Sequence, residues 1–192
     1  VGFFGKASNI IQAIEPCKVL APEILAIIPA LQTFSVQFGS RKGQLGFWVL
    51  STDTGIDLSV EGMEHQLEKA LGLFALWAGS NGIARLSIGN EIICQHQAPQ
   101  LTFGKVTVST PPRAFTQATP QGEKTLQDAV GLALAGADKV IDLFSGVGTL
   151  SLPLAGVATL HCVENDKGLL DALAHGVRHT QGIKSVTTSA RD

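Results

Sequence analysis

Val140-Ile141-Asp142-Leu143-Phe144-Ser145-Gly146-Val147-Gly148-Thr149 is the stretch on which the fold turns. Lys139 to Phe144 reads as a short buried strand that runs directly into Gly146-Val147-Gly148, with a helix expected from about Thr149. Neither glycine has a Cβ, so the main chain can turn tightly there and a ligand can approach it closely. A helix start at that point would add unpaired N–H donors aimed at the same space. Working outward, Thr159 to Glu164 reads as the next strand, Lys167 to Thr180 as the next helix and Ser185 to Thr188 as a third strand. On the near side, a helix begins at Thr119 or Pro120 and runs to about Leu134, with Gly136 as its stop. Strands alternating with helices imply a parallel sheet with crossover connections.

Glu164 lies 22 residues after Asp142, at the end of the second strand. That spacing sets a carboxylate beside the glycine turn, where it can accept both hydroxyls of an adenosine ribose. The residues leave three readings open: an S-adenosylmethionine site, a site for another nucleotide, or a purely structural turn. The nicotinamide and flavin fingerprint asks for a third glycine, and position 151 is Ser151. Asp192, after the third strand, stands where an acidic residue can face an adenine amino group, or it is merely solvated.

Upstream of residue 110 the pattern is mixed. Val1 to Phe4 and Ile10 to Ile14 read as short strands, and Pro22 to Thr33 as a helix with Ile24, Leu25, Ile27, Ile28 and Leu31 at helical spacing. Gly46 to Ser51 and Gly55 to Val60 flank a Thr52-Asp53-Thr54 turn, a hairpin signal. Met63 to Ala78 reads as a second helix, and Ile83 to Ile88, Glu91 to His96 and Leu101 to Val108 as strands. Ser109-Thr110-Pro111-Pro112 reads as a linker, since paired prolines stiffen the chain and lack donors. The expected organisation is an α+β module at 1–111 and an α/β unit at 112–192.

Apolar residues make up 45% of the 192 and charged residues 16%, which supports a sizeable core and excludes wholesale disorder. Net charge is −2, with eight acidic and eight basic side chains in residues 1–115 and eight acidic and six basic in the remainder. Charge alone therefore gives no basic face for a nucleic acid. The most apolar window, Leu126 to Leu154, is broken by Asp128, Asp138, Lys139 and Asp142, and no membrane span is expected. Cys17, Cys94 and Cys162 are odd in number and widely spaced, which favours reduced thiols and a cytoplasmic setting. The chain starts at Val1 and stops at Asp192 with no initiator Met, so it reads as a piece of a longer protein.

Taken together, these residues resemble the RNA 5-methyluridine methyltransferase family, in its ribosomal-RNA and transfer-RNA branches. Ala114-Phe115-Thr116-Gln117 is similar to the family's Phe-x-Gln opening of the catalytic domain, a short helix ahead of the Asp142–Thr149 motif. The resemblance implies a class I methyltransferase fold, here a truncated Rossmann-like half-domain at 112–192 preceded by an α+β central module. It implies S-adenosylmethionine held by Gln117, Phe144, Gly146, Thr149, Glu164 and Asp192, and RNA as substrate, with rRNA favoured over tRNA. Family members often carry Asn after Phe-x-Gln and Cys at position 145, where this chain has Ala118-Thr119 and Ser145. Read without the family, Gln117 is a helix-cap amide. Val1-Gly2-Phe3-Phe4 and Glu15-Pro16-Cys17-Lys18-Val19-Leu20 resemble the segment ahead of the catalytic domain. In iron–sulfur members a Cys there is the fourth ligand of a [4Fe–4S] cluster, which makes Cys17 the candidate metal ligand; the bland alternative is a small buried apolar residue. The family's nucleophilic Cys and carboxylate-type base lie in later motifs, so this chain holds no catalytic residue and is expected not to methylate by itself.

Two function classes stand beside that one, a small-molecule class I methyltransferase and a non-enzymatic RNA-binding module. His175 and His179, four apart on one helix, have a zinc-compatible spacing but no third ligand, and read as a solvated helix face. Phe47, Trp48 and Trp77 read as core aromatics, with base stacking as the alternative. A half-domain of about three strands leaves an open edge and apolar sheet surface, so self-association is expected.

Overall fold

The computed structural model describes the chain apart from residues 15, 16, 41, 42, 64–66, 90 and 192, and apart from the side chains of 67–69. It divides into two compact units, Val1–Ser51 with Gly55–Gln97, and Thr52–Thr54 with Ala98–Asp192.

In the first unit β1 (Gly2–Phe4) and β2 (Ile11–Ala13) pair antiparallel, with Phe3 opposite Gln12. Helix α1 (Pro22–Phe38) buries Ile27, Leu31, Phe34 and Phe38, one stripe of a 3.6-residue repeat. It outruns the expected stop at Thr33 because the apolar stripe continues through Phe34 and Phe38 into the core, while the hydroxyls of Thr33 and Ser35 donate back to Pro29 O and Leu31 O at 3.1 and 2.8 Å. A four-stranded sheet follows in the order β3 (Gly46–Thr52), β4 (Gly55–Glu61), β5 (Ile83–Ile88), β6 (Glu91–Gln95). Helix α2 (Leu67–Ser80) connects β4 to β5, which run parallel, as a crossover demands. The expected helix start near Met63 abuts 64–66, outside the described residues.

Phe34 anchors this core, its ring 4.8 Å from those of Phe38 and Trp77 and 6.0 Å from that of Phe74. Trp77 is therefore a core residue; Trp48 is 43% exposed. Strands β4 and β5 carry Leu58, Val60, Leu86 and Ile88 into the core, and at the alternate positions a buried polar ladder. Asp57 faces Arg85 in register and accepts from its Nε and Nη2 at 2.9 and 2.6 Å, while Ser59 and Ser87 hydrogen-bond at 2.6 Å.

The second unit begins with the antiparallel hairpin β7 (Gln100–Phe103) and β8 (Val106–Ser109). The single strand expected over 101–108 is broken here, because the chain turns at Gly104 with φ 61°. Thr54 ties residues 52–54 to this unit, donating to Ala98 O at 2.7 Å and accepting from Gln100 N at 3.1 Å. The hairpin packs Phe103, Val106 and Val108 against Val147, Leu152 and Leu173 in one core. The two units thus part at 97/98, whereas the proline pair suggested 111/112; that division, as the start of the catalytic domain, stays a proposal.

Next come α3 (Pro120–Ala133), β9 (Lys139–Leu143), β10 (Thr159–Glu164), α4 (Lys167–Arg178) and β11 (Val186–Ala190). The three strands form a parallel sheet in the order β11-β10-β9. Thr119 caps α3 by accepting from Gly122 N at 3.0 Å, and Asp166 caps α4 by accepting from Leu169 N at 3.1 Å. Gly176 lets α4 lie close on β8, since a Cβ there would sit 2.5 Å from Thr107 O.

A further expectation fails. No α-helix starts at Thr149: residues 149–151 form turns and Leu152–Leu154 a single 3₁₀ turn. Pro153 has no N–H to give, and the bonds beyond it, Leu154 N to Ser151 O and Ala155 N to Leu152 O, span three residues each. The donors at the glycine turn therefore belong to the turn itself.

Candidate functional site

Strand β9 ends at Leu143, and Phe144 adopts φ 58°, a left-handed conformation that few bulky residues take. The bend it makes keeps Ser145 bonded to β10, with Ser145 N donating to Val163 O at 3.1 Å. Gly146 and Gly148 follow with φ of 56° and 88°. They are glycine for different reasons. A Cβ on Gly146 would meet nothing within 4 Å, so that side of the turn is open; a Cβ on Gly148 would press on Leu152 Cγ at 2.6 Å.

Glu164 ends the neighbouring strand and reaches this turn. Its Oε2 accepts from Gly146 N at 2.8 Å, and its Oε1 accepts from Asn165 N at 2.8 Å and Asp166 N at 3.1 Å. The Asp166 amide, with those of Gly146 and Asn165, holds the Glu164 carboxyl below the ordinary carboxylate range against the opposing effect of burial. A carboxylate offers about four lone-pair sites. Three are bonded, and Oε2 keeps one.

Asp142, in register with Cys162 across β9 and β10, is the second acid of the cradle. Burial pushes its carboxyl up, a hydrogen bond from Ser151 opposes this, and the charge of Glu164 adds to it. Ser151 is 2% exposed and also lies 3.6 Å from Cys162 Sγ. The residue at the third-glycine position thus has a task of its own. From α3, Gln127 Nε2 donates to Thr149 O at 3.0 Å and to Glu123 Oε1 at 3.2 Å. Neither Ser151 nor Gln127 was expected to hold the turn: a lone Ser or Gln has no sequence signal that separates a clamp from a surface residue.

The structure therefore brings Gly146 and Glu164 into direct contact, with Phe144 and Thr149 in the same turn. Phe144 is 86% exposed. Gln117 is half-buried in the segment before α3 and has no hydrogen bond to another described residue; the cap position that the bland reading gave it belongs to Thr119. Asp192 lies outside the described residues, though Ala190 pairs with Glu164 and Arg191 N donates to Glu164 O at 3.3 Å. Ser145 is 7% exposed and its hydroxyl lacks a hydrogen-bond partner among the described residues, a position where a thiol would sit at less cost. A recess of about 140 Å³, lined among others by Leu134, Asp138, Leu154 and Val157, lies at the start of β9, the far end from this turn.

Cys17 is half-buried, and amide donors from Val19 and Leu20 lower its thiol pKa, whereas burial raises those of Cys94 and Cys162. The Glu15-Pro16 part of its motif lies outside the described residues. His175 and His179 stack with ring centroids 4.3 Å apart, and His179 Nδ1 hydrogen-bonds to His175 O at 2.8 Å. No group of three or more His, Cys, Asp or Glu able to hold a metal occurs among the described residues. No helix among the described residues is long and apolar enough to cross a membrane.

A parallel sheet whose first strand runs into a glycine turn, and whose second ends in a carboxylate bonded to that turn, has the pattern of a Rossmann-like class I methyltransferase fold. The chain superposes on the Pyrococcus abyssi tRNA (uracil-54, C5)-methyltransferase, solved with S-adenosyl-L-homocysteine, with a TM-score of 0.72 at 15% identity, covering 98% of this chain and 52% of that one. It is 35% identical over its whole length to an RNA methyltransferase of Rhizobium meliloti, and 37% identical to one of Brucella suis, covering 46% of each. A 23S rRNA (uracil(1939)-C(5))-methyltransferase of Nitrosococcus oceani is 26% identical over 94% of this chain and 43% of its own length. No family model matches. The chain is thus similar to these RNA methyltransferases in sequence and fold, and it spans about half the length of the curated relatives it matches.

Proposed function

We propose that the chain is the central and cofactor-binding part of an S-adenosylmethionine-dependent RNA methyltransferase that methylates carbon 5 of a uridine, in rRNA rather than tRNA. The observation that carries this reading is the 2.8 Å bond from Gly146 N to Glu164 Oε2, in a chain 35% identical along its whole length to RNA methyltransferases. The free lone pair of Glu164 Oε2 accepts a ribose hydroxyl, and the open face of Gly146 admits the nucleoside. Gln117, Phe144, Thr149 and Asp192 complete the contact set. S-adenosylmethionine supplies the methyl group; this chain's part is to seat it, with Asp142 and Glu164 giving the cradle a negative field that suits a sulfonium and an ammonium.

No thiol of the catalytic kind belongs to this reading within the chain, since burial raises the pKa of both Cys94 and Cys162. The nucleophile and base are contributed by residues outside these 192. Cys17, with its lowered pKa, fits as one of four thiolate ligands of a [4Fe–4S] cluster whose other three also lie outside. Iron content of the full-length protein should fall on Cys17→Ser; unchanged iron would remove the cluster. The names of the relatives do not favour a small-molecule methyltransferase or a non-enzymatic RNA-binding module.

The test is to incubate the full-length protein with methyl-labelled S-adenosylmethionine and separate rRNA and tRNA transcripts, then digest to nucleosides. The expected product is 5-methyluridine from the rRNA. Label in tRNA only would overturn the choice of substrate, and no labelled nucleoside from either would overturn the activity.

A further inference from the structure

Of the polar contacts that reach the glycine turn from outside the strands that form it, the longest in sequence comes from helix α3. Gln127 Nε2 donates to the carbonyl of Thr149 at 3.0 Å, spanning 22 residues, and to Glu123 Oε1 at 3.2 Å. We propose that Gln127 is a positioning residue for the cofactor: it fixes the Thr149 end of the turn to α3, as Glu164 fixes the Gly146 end to β10. The proposal rests on the reading of this turn as the S-adenosylmethionine site.

The turn needs a second anchor. Gly146 and Gly148 hold positive φ, and glycine gives the chain more freedom than any other residue. Its internal bonds are Gly148 N to Ser145 O at 2.8 Å and Leu152 N to Gly148 O at 2.9 Å, and beyond them Pro153 cannot donate. Thr149, placed among the cofactor contacts, lies between these bonds, and its carbonyl is taken by Gln127. Gln127 is itself aimed by Glu123, one helical turn earlier, whose carboxyl is held up by burial and by the charge of Asp53 and lowered by this same hydrogen bond. An amide is the fitting side chain: its NH₂ carries two donors, one for each oxygen.

The test uses the full-length protein and S-adenosylhomocysteine as probe, by calorimetry at a temperature well below unfolding. Gln127→Leu keeps a good helix former but no donor, and should weaken binding by about three- to tenfold, the worth of one hydrogen bond. Gln127→Glu separates positioning from bulk stability. When protonated its carboxyl can donate to Thr149 O; when ionised it faces that oxygen and the Glu123 carboxylate. Its affinity should therefore fall, relative to wild type, as the pH is raised from about 5 to about 8. Wild-type binding with parallel pH profiles and an unweakened Gln127→Leu would overturn the positioning role. Failure of the wild type to bind at all would overturn the cofactor reading and this inference with it.

Discussion

Replacing Asp57 by Ala should be strongly destabilising. Asp57 and Arg85 are 2% and 4% exposed, and the carboxylate accepts two bonds from the guanidinium at 2.9 and 2.6 Å. Removing Asp57 takes away two charge-assisted hydrogen bonds of a guanidinium that stays buried. Breaking such a pair costs about 3–5 kcal/mol, against a total stability of about 5–15 kcal/mol for a domain. At a urea slope of about 1–3 kcal/mol/M the midpoint should fall by roughly 1–5 M. The double variant Asp57→Leu with Arg85→Met removes both charges and should recover most of the loss, since apolar replacement of a buried pair is often neutral or better. Urea unfolding followed by circular dichroism reads both. A single variant within about 0.5 kcal/mol of wild type, or a double variant no better than the single, would refute this account of the ladder.

Two further outcomes follow from local geometry. Gly176→Ala should lower the melting temperature although Ala is the better helix former by about 1 kcal/mol, because the new methyl would meet Thr107 O at 2.5 Å and lever α4 off β8; a rise would refute it. Among the three thiols of the iron-free protein Cys17 should alkylate fastest near pH 7, its lowered pKa giving more thiolate, while the raised pKa values of Cys94 and Cys162 slow them; mass spectrometry of a timed iodoacetamide reaction gives the order, and Cys162 first would contradict it.

The second half of the fold was legible because its signals are local and agree with one another. Apolar runs at 139–143 and 159–164, glycines at 146 and 148, and an acid at the next strand's end all point to one βαβ arrangement, and the parallel register confirms the pairing of those strands. What was missed depends on distance or on backbone detail. The helix expected from about Thr149 failed on Pro153, which has no N–H for the i to i−4 ladder, and the chain makes a single 3₁₀ turn at Leu152–Leu154 instead. The strand over 101–108 failed on Gly104, which holds a turn at φ 61°. That this hairpin joins the second core is a tertiary fact with no periodicity to announce it. The Glu164 carboxylate was placed by its spacing from Asp142; the clamps Gln127 and Ser151 were not, because contacts across 22 and 9 residues between single polar side chains leave no pattern in the chain. Asp57 and Arg85 likewise carry no signal of a pair in the sequence; β4 and β5 set them opposite each other.

Binding of S-adenosylhomocysteine to the full-length protein before and after Glu164→Ala is the most direct measurement. Loss of a charge-assisted hydrogen bond worth about 1.5–3 kcal/mol predicts affinity lower by roughly 10- to 100-fold, with the far-ultraviolet circular dichroism unchanged. Equal affinity in the two proteins would show that the carboxylate bonded to Gly146 serves the turn alone and that the ligand sits elsewhere.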